Sequence, residues 1–77
     1  MCRPPTRIVY TVHARQRMAL RGIPEEMVRQ TLEEPDERGV GYRARSLAYR
    51  RFPEGRIKVV YVESDEGITV ITVMWED

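Results

Sequence analysis

The 77 residues predict a single α+β domain in which two short helices precede an antiparallel β-meander of three to four strands. Three observations carry this. Apolar residues recur at helical spacing between residues 12 and 34, interrupted at Gly22 and Pro24 and ended at Glu34-Pro35-Asp36. Residues 46–75 are rich in Val, Ile, Tyr and Thr. Turn residues divide that run at Pro53-Glu54-Gly55 and at Ser64-Asp65-Glu66-Gly67, and such short connections make neighbouring strands antiparallel.

Residues 1–9 form a loose or extended lead-in, because Pro4 and Pro5 prevent an early helix; Arg7 to Tyr10 can extend. Thr11 suits the N-cap of a helix over about 12–21, and Gly22 stops it. Pro24 fits the first position of a second helix, with Glu25 and Glu26 favouring its positive end. Ile23, Met27, Val28, Thr31 and Leu32 supply its buried side. Residues 37–43 read as a weak strand broken by Gly39 and Gly41, followed by strands at 46–52, 56–63 and 68–75. The last two are apolar on both faces. Val59, Tyr61 and Val70 or Met74 are expected on one face, and Val60, Val62, Ile71 and Val73 on the other. Two short helices cover only one face. The other then needs a second copy or a partner, or else a twisted sheet with the N-terminal segment folded over its back.

Composition excludes several classes. One cysteine, Cys2, forms no disulfide within the chain, and one histidine with one cysteine makes no metal site. No cofactor motif is present. No apolar segment reaches signal-peptide or membrane length, so the expectation is a cytoplasmic protein without membrane contact. Net charge is only +1, but it is distributed in blocks. Residues 1–31 carry six arginines against two glutamates, and residues 39–58 carry six bases against Glu54. Between and after them lie two acidic blocks, at 32–38 and 59–77. Twelve of the thirteen bases are arginine, which suits bidentate contacts to phosphate or carboxylate; a GC-rich or thermophilic genome explains the same bias.

The chemistry concentrates in the first helix. His13, Arg17 and Arg21 stand at i, i+4 and i+8 and form one stripe, with Val12, Ala14, Met18 and Ala19 expected on the opposite side. Arg15 falls outside that stripe and is expected to snorkel along the helix edge or to pair with an acid, such as one in the 33–37 cluster. His13 sits in the first turn, where the helix dipole and Arg17 both favour the neutral imidazole, the form that accepts a proton. The competing reading has His13 bonded to a backbone carbonyl, tying helix to sheet.

The stretch HARQRMALRGI (13–23) resembles H-x-x-x-R-M-x-x-R-G-I, the opening signature of a bacterial domain-of-unknown-function family, family four-two-five-eight; His13, Arg17, Met18, Arg21, Gly22 and Ile23 match. The likeness continues through the acidic helix start PEEMV and the closing hairpin KVVYVESDEGITVITVMW, and so spans roughly residues 10–75. The element order also resembles that of RelE/BrnT-type toxins, a superfamily that includes metal-independent ribonucleases. That second likeness lies at the level of fold, and the chain lacks the strongly basic character of those toxins.

Metal-independent RNA cleavage needs a base for the ribose 2′-hydroxyl, cations for the developing negative charge and an acid for the leaving oxygen. His13 is the candidate base, with Arg17, Arg21 and Arg51 completing the candidate catalytic set. Tyr49 and Arg50 are candidate substrate contacts. Arg50 and Arg51 point to opposite faces of their strand, and Arg51 shares its face with Tyr49. Tyr61 is assigned to the core, and Trp75 to packing with its N–H satisfied nearby. Two readings stay open: a toxin-like ribonuclease or RNA-binding relative, whose partners are RNA and an antitoxin-like protein, and a non-catalytic module that dimerises through its apolar sheet face.

Overall fold

The computed structural model describes residues 7–65 and 67–76. The order is β1 (Ile8–Tyr10), α1 (Val12–Arg21), α2 (Glu25–Glu33), β2 (Glu37–Val40), a single 3₁₀ turn (Tyr42–Ala44), β3 (Ser46–Phe52), β4 (Gly55–Ser64) and β5 (Gly67–Trp75). The α+β class, both helices and the four later strands lie where the sequence places them.

The sheet differs from expectation in two ways. It has five strands, ordered β1-β5-β4-β3-β2, and it is mixed, because β1 runs parallel to β5 while every other pair is antiparallel. The extra strand is the segment expected only to extend. Three residues carry no period of their own. They become a strand because the edge of β5 offers partners: the Ile68 amide donates to the Arg7 carbonyl at 2.8 Å and the Thr11 amide to the Val70 carbonyl at 3.2 Å. The contact is close enough that a Cβ on Gly67 would lie 2.3 Å from the Arg7 oxygen.

A bulge sets the phase of β5. Tyr61 pairs with Val70 but Val60 pairs with Thr72, leaving Ile71 as the extra residue. Ile68, Val70 and Val73 are therefore all buried, together with Ile57, Val59 and Tyr61 of β4 and Ala48 of β3. The expectation that Val73 lies with Val60 on the other face is corrected: simple alternation through β5 fails at Ile71. The hairpin before β5 is also tighter than a four-residue loop, since Ser64 pairs directly with Gly67; Glu66 lies outside the described residues.

Both helices pack on the same face of the sheet. Thr11 caps α1, its hydroxyl accepting from the Ala14 amide at 3.0 Å and donating to the carbonyl of bulged Ile71 at 3.1 Å. One side chain thus closes the helix and fastens it to the sheet. Gly22, at φ 67°, ends α1, and Ile23 returns into the core. Pro24 occupies the N-cap of α2 rather than its first helical position. Val28, Thr31 and Leu32 of α2 are buried, and the Thr31 hydroxyl is satisfied by the Met27 carbonyl at 2.8 Å.

Candidate functional site

The predicted site residues fall on two sides of the sheet. Ala14 and Met18 are the buried residues of α1, which turns His13, Arg17 and Arg21 away from the core. His13 and Arg21 are exposed and Arg17 is half-buried. Arg17 Nε donates to His13 Nε2 at 3.3 Å, a contact that requires Nε2 to carry its lone pair. His13 is thus joined to the neighbouring guanidinium, not to a backbone carbonyl. Val12 and Ala19, expected to face inward, are exposed; Val12 and Leu20 are each 74% exposed and flank the stripe.

Arg15 stands apart, as expected, but its acid is Glu25 at 2.9 Å rather than one of residues 33–37. Its guanidinium also lies 5.0 Å from the Tyr10 ring centroid. The acids at 34–37 are tied instead to the sheet. The Glu34 carbonyl accepts from Arg50 Nη1 at 2.6 Å, Asp36 Oδ2 accepts from the Arg51 amide at 2.8 Å, and Glu37 forms an ion pair with Arg56.

Arg50, a candidate substrate contact, faces the helices. It caps the C-terminal end of α2 and stacks over Phe52, with 5.5 Å between guanidinium and ring centroid. Its position is explained by that structural work. Tyr49 and Arg51 alternate with it and lie on the helix-free face. The structure therefore brings His13 and Arg17 together, with Arg21 one turn further along α1, and separates them by the thickness of the sheet from Tyr49 and Arg51.

Two residues of the helix-free face escaped the sequence reading. In the β3–β4 register Phe52 pairs with Gly55, so Arg51 stands opposite Arg56 and Tyr49 opposite Lys58. Arg56 stacks on Tyr49, 4.5 Å from its ring centroid. The signal was present: counting outward from the Pro53-Glu54 turn pairs these residues one by one.

Two surface depressions are lined by none of the predicted site residues. One, of about 240 Å³, is lined by Tyr10, Glu25, Glu26 and Arg29; the other, of about 70 Å³, by Arg7, Val9, Ser64, Gly67, Ile68 and Thr69. Among the described residues no group of three or more His, Cys, Asp or Glu side chains is arranged to hold a metal, and no helix is long and apolar enough to cross a membrane.

No curated protein and no solved structure matches the chain. A family model matches residues 10–75, a span that begins at the end of β1 and runs to the last residue of β5, and so takes in the His13 stripe, both helices and the four antiparallel strands. The chain belongs to the family described as Domain of unknown function (DUF4258).

Proposed function

We propose that this domain binds RNA through the His13–Arg17–Arg21 stripe of α1 and does not cleave it. The observation that carries the reading is the absence of acid partners along the stripe. Arg15 and Arg56 are each paired with a glutamate, whereas among the described residues Arg17 and Arg21 meet no carboxylate. Cations placed one turn apart along a helix, without carboxylate partners, suit successive phosphates of a nucleic-acid backbone.

Cleavage asks for more than the stripe supplies. A second proton carrier must stand across the scissile phosphate from His13. Tyr49, the proton carrier on β3, faces the other side of the sheet, as does Arg51, a candidate cation. The Nε2 lone pair of His13 is already engaged by Arg17.

Fluorescence anisotropy with a labelled single-stranded RNA over a salt series tests this. The double variant Arg17→Ala/Arg21→Ala is expected to bind more weakly, with a log–log salt slope shallower by about 1.4, the value for two lost phosphate contacts on a single strand. An unchanged slope removes the stripe from RNA binding. The same RNA, incubated with wild type and with His13→Ala, is expected to stay intact in both. Cleavage by wild type that His13→Ala abolishes would replace this reading with the ribonuclease one.

A further inference from the structure

On the helix-free face, around the β3–β4 hairpin, three cations gather about one aromatic ring. Arg51 and Arg56 are directly opposed across the strand pair, and Lys58 is opposed to Tyr49 on the same face. Like charges set opposite each other on a sheet destabilise it unless something compensates. Glu37 compensates Arg56, whose guanidinium lies over Tyr49. Among the described residues the side chains of Arg51 and Lys58 have no hydrogen bond or ion pair. Arg51 is exposed and Lys58 half-exposed. Neither helix reaches this face, because both pack on the other one.

We infer that this face is a binding site for single-stranded RNA, in which Arg51 and Lys58 hold backbone phosphates and the Tyr49–Arg56 stack is the platform for an unpaired base. The charge selects an anion. A second copy of the chain is a poor occupant here, since a two-fold contact centred on the cluster would set Arg51 and Lys58 against their own images. The aromatic–guanidinium stack selects a ligand with flat π-faces over a bare anion. Unpaired bases can reach such a platform, whereas a duplex keeps its bases stacked within the helix. The choice of RNA rests on the function proposed above, but the site is separate from the α1 stripe.

Amide chemical shifts of the ¹⁵N-labelled full chain distinguish the two surfaces. Titration with a short single-stranded oligouridine is expected to move the resonances of Tyr49, Arg51, Arg56 and Lys58. These shifts should persist in Arg17→Ala/Arg21→Ala. Arg51→Ala/Lys58→Ala is expected to weaken oligouridine binding by about tenfold. Tyr49→Leu is expected to weaken it by about tenfold while leaving affinity for tripolyphosphate, which has charge but no bases, unchanged. The wild-type map needs no variant to fold, and each variant's own spectrum reports its fold.

Shifts confined to α1 would overturn this inference and leave the stripe reading intact; shifts confined to the sheet would do the reverse. Equal losses of oligouridine and tripolyphosphate binding in Tyr49→Leu, or none in either, would reduce the site to simple anion attraction and overturn the role of the stack. A dimer in sedimentation, with these four amides at its interface, would hand the face to a second copy.

Discussion

Arg43 and Ala44, at the tip of the β2–β3 hairpin, both hold positive φ, at 62° and 60°. Two adjacent residues with Cβ atoms in the left-handed region are costly, at roughly 1–2 kcal/mol each. The hairpin supports them through hydrogen bonds from the Gly41 amide to the Arg45 carbonyl and from Ala44 back to Gly41. Replacing Ala44 by glycine removes the clash and returns part of the gain as backbone entropy. Ala44→Gly is therefore expected to stabilise the fold by about 0.5–1 kcal/mol, read as a raised urea midpoint at constant m-value; a lowered midpoint contradicts the strain argument. Sequence reasoning passed over this turn, since Arg-Ala carries none of the usual left-handed residues, Gly or Asn. Its view of Gly39 and Gly41 as strand breakers also missed their use. They leave room for Leu47 to lie across β2, with a Cβ on Gly41 falling 3.2 Å from the Leu47 side chain.

At the level of elements, one cross-strand row organises the helix ends. Arg50 and Trp75 both pair with Ile57, one on each side, across β3, β4 and β5. Ile57 in the middle is fully buried. The outer two donate into the last carbonyls of the helices: Arg50 to Glu34 beyond α2, and Trp75 Nε1 to Arg21 of α1 at 3.0 Å. These carbonyls have no partner within their helices, and the sheet supplies one for each. Trp75→Phe keeps most of the packing and loses the N–H. It is expected to cost about 1 kcal/mol in chemical denaturation and to speed amide exchange in the last turn of α1. Unaltered exchange there would show that the cap does not hold the helix end. The Trp75 N–H was expected to find a nearby partner, but which carbonyl it meets is a matter of how α1 lies on β5.

Over the whole molecule, the two half-buried or buried tyrosines of the helix side link stability to pH. Burial raises the Tyr61 phenol above its ordinary value, with Glu63 adding to the effect and Arg38 opposing it. Burial likewise raises Tyr10, reinforced by Glu25 and opposed by Arg15 and Arg29. In the unfolded chain both phenols ionise near pH ~10, while the folded chain still holds them neutral. Their contribution to stability is thus complete below about pH 10 and is lost as pH rises through the folded values. Urea midpoints are expected to fall as pH rises above about 10, and Tyr61→Phe should make that fall shallower. An identical pH profile in the variant would exclude Tyr61 as a source.

Local signals in the sequence determined the elements: Thr11 and Gly22 bound α1, the Pro53-Glu54 and Ser64–Gly67 turns bound the hairpins, and apolar spacing marked Ala14, Met18, Val28 and Leu32 as core. These are short-range effects of backbone preference and side-chain period, so they can be read within a few residues. What tertiary structure alone decided are relations between distant segments. The pairing of β1 with β5, the bulge at Ile71 that turns Val73 inward, and the placing of both helices on one face depend on contacts between separate elements, among them that of Thr11 with Ile71, sixty residues apart. The same long-range relations divide the candidate site. Spacing grouped His13, Arg17 and Arg21 correctly because a helix is a local object. It also put Tyr49 and Arg51 on one face of a strand, and only the packing of α1 shows that this face looks away from His13.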